Sequence, residues 1–75
     1  MGTVPVLRPR KVAQILTKLG FKEARQRGSH KQFLHSDGRF TTVPFHGGRD
    51  ISLPILLRQI AKDIGLTIDE FLGHR

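Results

Sequence analysis

Seventy-five residues, thirteen Lys and Arg against six Asp and Glu, a formal net charge of +7 and no cysteine bound the reading before any motif is considered. A chain of this length makes one domain, residues 1–75, whose core is too small to enclose a deep cofactor cavity as well, so chemistry belongs on a surface or in a shallow cleft. Without cysteine there are no disulfides and no thiolate metal ligands. With no apolar run at Met1–Leu7 suited to a signal peptide, and none elsewhere suited to a membrane span, the expectation is a soluble, cytoplasmic protein.

The charge is unevenly spread. Residues 1–49 carry ten basic and two acidic side chains, net +8, whereas residues 50–75 carry three and four, net −1. A positive excess confined to one part of a small domain favours an anionic partner, of which nucleic acid is the commonest.

In chain order, Val12, Ile15, Leu16 and Leu19 repeat at i, i+3, i+4 and i+7, which predicts a helix from Pro9 to Leu19, begun by Pro9 and stopped by Gly20. From Phe21 the pattern changes to short extended segments broken at Gly28-Ser29 and Asp37-Gly38. These dipeptides suit two-residue hairpin turns of type II′ and type I′ respectively. The prediction is a three-stranded antiparallel meander, Lys22–Arg27, His30–Ser36 and Arg39–Phe45. Two-residue loops would set Arg27 opposite His30, Arg25 opposite Gln32, Ala24 opposite Phe33, Phe45 opposite His30 and Phe40 opposite His35. That register puts Ala24, Phe33 and Phe40 beneath the helices and Arg25, Arg27, His30 and Gln32 on the other face. It leaves Leu34 and Val43 on the polar side without explanation. After a Gly47–Asp50 loop, Ser52 is placed to cap a second helix carrying Leu53, Leu56, Leu57, Ile60 and Ile64 and ended by Gly65. Thr67-Ile68-Asp69-Glu70 has the form of a capping box, so a last helical turn presents Phe71 and Leu72 to the core. The fold class is α+β, in the order α-β-β-β-α with a terminal turn.

The residues with most chemistry surround Gly28-Ser29-His30. Arg25 and Arg27 offer planar forks of donors that match phosphate oxygens, and His30 can move a proton near neutral pH. RNA contains its own nucleophile, the 2′-hydroxyl. A ribonuclease without a cofactor therefore needs a base, for which His30 is the candidate, cations for the crowded phosphorane, supplied by Arg25, Arg27 and Lys31, and an acid for the leaving oxygen, for which His46 is the candidate. Ser29, in the turn, is a further RNA contact. Spacing alone leaves a second reading open, in which Gly28 only forms the turn and His30 is an exposed strand residue. His35, near the second turn, reads as a partly packed imidazole, and His74 lies close to the C-terminus. No two of these histidines sit at i, i+4 on a helix, so no metal ligand set is recognised. Arg8, Arg10, Lys11 and Lys18 flank the first helix's apolar stripe as a basic surface. Phe45 is the one aromatic residue placed to stack on a base.

Leu19-Gly20-Phe21, Arg25-Gln26-Arg27-Gly28-Ser29-His30, Asp37-Gly38-Arg39, Thr42-Val43-Pro44-Phe45-His46 and the stretch Leu57 to Phe71 together resemble the HicA-type toxins, the YcfA-like mRNA interferases, over about Val12 to Leu72. The resemblance implies a fold like that of double-stranded-RNA-binding domains, with helices on one face of the sheet. It also implies metal-independent cleavage of mRNA by a toxin of a type II toxin–antitoxin system, with the catalytic histidine at His30, and an HicB-type antitoxin as partner. Lys31 stands where many relatives have a second histidine or an apolar residue. The helix after Ser52 lacks the lysine-rich start that double-stranded-RNA-binding domains use on phosphates. The alternative to a ribonuclease is a non-catalytic RNA-binding module using the same basic face.

Overall fold

The computed structural model describes residues 7–45 and 54–75, with the side chains of Pro54 and Ile55 outside the description. The order is α1 (Pro9–Lys18), β1 (Lys22–Arg27), β2 (His30–Leu34), β3 (Phe40–Pro44), α2 (Pro54–Asp63) and α3 (Ile68–Leu72). The strands form one antiparallel sheet in the order β1-β2-β3. This is the expected α+β arrangement, an open sheet with helices. Ser52, Leu53 and the Gly47–Asp50 loop lie outside the described residues.

Both long helices end as their sequences dictate. After α1 the Gly20 N–H bonds Thr17 O at 3.0 Å and the Phe21 N–H bonds Leu16 O at 2.9 Å. After α2 the Gly65 N–H bonds Lys62 O and the Leu66 N–H bonds Ala61 O at 3.0 and 2.9 Å. These paired bonds satisfy carbonyls the helix leaves open, and they turn the chain so that an apolar residue follows each glycine into or onto the core. The apolar stripes pack as predicted: Val12, Ile15 and Leu16 of α1 are buried, as are Leu57, Ile60, Ala61 and, just past the end of α2, Ile64. Leu19 and Leu56 pack half-buried against them. The capping box forms, with the Thr67 hydroxyl accepting from the Glu70 N–H and the Glu70 carboxylate from the Thr67 N–H. It seats Phe71 in the core.

The first hairpin closes as expected at its turn. Gly28 has φ 56° and no non-glycine residue has positive φ among those described, which fits a type II′ turn with Ser29 second. Arg27 faces His30 and Arg25 faces Gln32, but between Glu23 and Arg25 the register shifts, so Glu23 and not Ala24 faces Phe33. Ala24 is the extra residue of a β-bulge and is exposed.

The second hairpin departs further. His35 and Arg39 flank a three-residue loop, Ser36-Asp37-Gly38, whose Gly38 N–H bonds His35 O at 2.9 Å while the His35 N–H bonds Arg39 O at 2.8 Å. Gly38 has φ 97°. The loop is thus a tight turn followed by a left-handed glycine, not the two-residue type I′ turn expected of Asp-Gly. One added loop residue moves the register by one and exchanges the faces of β3. His30 faces Pro44 and not Phe45, and Leu34 and not His35 faces Phe40. Val43 therefore enters the core beside Phe33, while Phe40, expected beneath the helices, is 59% exposed. Thr41 turns inward as well, 1% exposed, and its hydroxyl donates to Asp63 Oδ2 at 3.0 Å. Both α1 and α2 pack on β3, and α3 on α2.

Candidate nucleic-acid interface

With the register fixed, the face of the sheet away from the helices is a grid of three cross-strand rows. Arg27, His30 and Pro44 form the first, Arg25, Gln32 and Thr42 the second, and Lys22, Leu34 and Phe40 the third. Each row has one cation, always on β1. Neither aspartate nor glutamate occurs in the grid; Glu23, also on β1, pairs with Lys31 instead. Successive rows are two residues apart, about 7 Å along a strand.

The Gly28-Ser29 turn positions the first row. The Gln26 side-chain amide donates to Gly28 O at 3.0 Å, and Ser29 O accepts from the Phe45 N–H, tying the turn to the end of β3. Arg25, Arg27 and His30 are all exposed and Ser29 is half-buried. The structure therefore brings together Arg25, Arg27, Ser29 and His30. Lys31 points the other way by strand alternation: its ammonium is 3.5 Å from Glu23 Oε1 and 4.4 Å from the centre of the Phe45 ring. Phe45, half-buried, thus has a lysine on its face, and with Arg8, Pro9 and Arg10 it lines a separate hollow of about 490 Å³ at the start of α1. His46 lies outside the described residues.

Arg39 and His35 serve the scaffold. The Arg39 guanidinium donates from Nε to Asp37 Oδ2 at 2.8 Å, from a terminal nitrogen to Ile64 O at 2.6 Å, and lies 5.3 Å from the Phe21 ring centre. The Arg39 backbone N–H also donates to Asp37 Oδ1 at 3.0 Å. Chiefly this backbone bond, helped by the guanidinium and by His35, holds the Asp37 carboxyl below its ordinary value. The His35 ring meets Phe21 edge-on at 5.0 Å and accepts the Asp37 N–H at Nδ1. It is the packed imidazole expected there. Among the described residues no three His, Asp or Glu side chains cluster as metal ligands.

Sequence reasoning missed Lys22, Phe40 and Thr42 as members of the open face and placed Leu34 there without a reason. The signal was present in Ser36-Asp37-Gly38, which suits a three-residue loop with glycine in the left-handed position as well as Asp-Gly suits a two-residue one. It was present too in Val43, an apolar residue that the shorter loop would have left facing solvent.

The domain is thus a small α+β fold whose open sheet face carries a cation in every row, with a histidine beside a glycine turn. The family model of the HicA toxin of bacterial toxin–antitoxin systems matches residues 9–66, and the chain belongs to that family. No curated protein matches the chain significantly. Family membership makes it a toxin-type component of a toxin–antitoxin system and implies an antitoxin partner. Among the described residues no helix is long and apolar enough to cross a membrane.

Proposed function

We propose that the protein is an endoribonuclease that cleaves mRNA on the open face of its sheet, with His30 as the general base. The observation that carries this reading is the row geometry: an exposed histidine beside a turn, with Arg27 directly opposite it and Arg25 in the next row, on a face without carboxylates. In the reaction His30 takes the proton of a ribose 2′-hydroxyl as that oxygen attacks the adjacent phosphorus. The bond from phosphorus to the 5′-oxygen breaks, leaving a 2′,3′-cyclic phosphate and a 5′-hydroxyl, the latter protonated by His46 or by water. Arg25 and Arg27 hold the phosphate oxygens as charge builds in the phosphorane. Lys31, held toward Glu23 and Phe45, would reach RNA only around the edge of the sheet, and Ser29 contacts the strand at the turn. Because the nucleophile belongs to the RNA, the reaction is proposed to be metal-independent, and turnover should persist in excess chelator.

The partner is proposed to be an HicB-type antitoxin with an acidic surface that covers Arg25, Arg27 and His30, where charge complementarity speeds encounter and blocks RNA together. The test of the catalytic reading is incubation of purified protein with single-stranded RNA and analysis of the new ends. Cyclic phosphate products from the wild type and none from His30→Ala support it. Binding without cleavage by the wild type would leave a non-catalytic RNA-binding module instead.

A further inference from the structure

Leu34 and Phe40 are the two large hydrophobic residues exposed among those described, at 46% and 59%. They are a directly opposed cross-strand pair, and they occupy the row two steps from His30 with Lys22 completing it on β1. Beside Leu34, a shallow hollow of about 370 Å³ opens toward β1, bordered by Lys22 and by Ala24, the small residue of the bulge. An apolar pair of this kind contributes little to the fold, since its open side faces away from the helices. It needs another explanation.

Two classes of occupant present themselves, an aliphatic side chain of a protein partner and a nucleobase. The surroundings favour the base. All the charges of the grid are cations in one file along β1, Arg27 and Arg25 at a two-residue step of about 7 Å and Lys22 three residues further on, past the bulge at Ala24, a file that suits the phosphates of an extended single strand. Polar Gln32 and Thr42 stand between the apolar row and His30, where base edges would find donors and acceptors. Every base has a π-face, so an exposed ring at the end of such a file binds RNA without requiring a particular sequence.

We propose that Leu34 and Phe40 form a nucleobase platform, on which an unpaired base stacks two nucleotide steps from the bond placed at His30, with its phosphate toward Lys22. This deepens the ribonuclease reading and rests on it for the position of the cleaved bond. The platform would require the RNA to be single-stranded at that base, because a paired base offers no free face.

The chain has neither Trp nor Tyr, so Phe40→Trp introduces a single fluorophore at the platform. In a His30→Ala background, which is expected to bind without turnover, titration with short single-stranded RNA should quench that emission. Phe40→Ala in the same background should weaken RNA binding by roughly 5- to 100-fold, with an unchanged thermal midpoint. An RNA carrying one abasic nucleotide two steps from the mapped cleavage bond should show no further loss with Phe40→Ala. RNA affinity within twofold of the parent for Phe40→Ala, together with unquenched Phe40→Trp emission, would overturn the platform. The same result joined to weakened binding of the antitoxin would overturn it in favour of a protein contact. A wild type that cleaves nothing but loses RNA affinity on Phe40→Ala would retain the platform and remove the ribonuclease reading.

Discussion

The two hairpins of this sheet share a strand and differ in almost everything else. The first, closed by Gly28-Ser29, projects exposed Arg25, Arg27 and His30, and β1 is exposed along its whole length. The second is fastened to the rest of the domain. Arg39 bonds both its own loop at Asp37 and the carbonyl of Ile64 beyond α2, His35 packs on Phe21, and Thr41 and Gln59 both donate to Asp63. One hairpin anchors, and the other is left open to solvent. The contrast shows how a small domain separates work from stability: each histidine and arginine has the same chemistry, and its row and its neighbours decide which task it performs.

Exchanging the roles of the two histidines is the most direct way to break this comparison. His30→Ala should reduce RNA cleavage by roughly 10²- to 10⁴-fold, the usual effect of losing a positioned proton acceptor, while denaturant unfolding stays within about 0.5 kcal/mol of the parent, as for an exposed site. His35→Ala should do the reverse, with a lower unfolding midpoint and near-normal cleavage per folded molecule. Equal losses of activity in the two variants would place catalysis elsewhere than the first hairpin.

The arginines give the next largest effect. Arg39→Ala removes a charge-assisted bond to a partly buried carbonyl and should cost about 1.5–3 kcal/mol in chemical unfolding. Arg25→Ala and Arg27→Ala, being exposed, should each change stability by no more than about 0.5 kcal/mol. If Arg39→Ala were as stable as the parent, the second hairpin would not be the anchor.

Much of this arrangement is written in local sequence. The helix stripes, both glycine stops and the Thr67–Glu70 capping box form as read, because each depends on residues within a turn or two of one another. The first turn and the pairs Arg27–His30 and Arg25–Gln32 are likewise local to one hairpin, and with them all four residues the structure brings together at the candidate site, Arg25, Arg27, Ser29 and His30. The bulge at Ala24 was not legible, and Ser36-Asp37-Gly38 suited a two-residue and a three-residue loop alike, because each choice is made by what its shift delivers to the core. Moving β3 by one residue exchanges exposed Val43 for exposed Phe40 and lets Thr41 reach Asp63, a contact that joins sequence positions far apart. Lys31 was assigned from its neighbours in the chain, and strand alternation alone carries it to the opposite face.

Salt dependence sharpens the division between the two sets of cations. If RNA follows β1, the logarithm of affinity should fall with the logarithm of salt by about 0.7 for each phosphate neutralised, and the double change of Arg25 and Arg27 to Ala should reduce the slope by about 1.4. Arg39→Ala, measured at a temperature where it remains folded, should leave the slope as it was. A reduced slope in Arg39→Ala and an unchanged one in the double variant would move the RNA path to the loop end of the sheet.

The smallest effect concerns acid, and it separates the second hairpin from the C-terminal cap. The Asp37 carboxyl is held below its ordinary 3.8, first by the Arg39 backbone N–H, and the Glu70 carboxyl below its ordinary 4.5, first by the Thr67 N–H. A group whose pKa falls on folding binds protons more weakly in the native than in the unfolded chain. Its contribution is therefore complete above the ordinary value and is lost as pH falls through the lowered one. Stability should accordingly be insensitive to these groups near neutrality and decline below about pH 4.5, Glu70 entering first and Asp37 after it. Glu70→Gln keeps an acceptor for the Thr67 N–H but no charge, so it should lower the midpoint slightly at pH 7 and flatten the upper part of the acid decline. Asp37→Asn should flatten only the lower part, where the Arg39 contacts are lost. Thermal midpoints measured from pH 7 to pH 2.5 would check both, and an acid profile that neither substitution alters would mean that these bonds, though formed, do not distinguish the folded chain from the unfolded one.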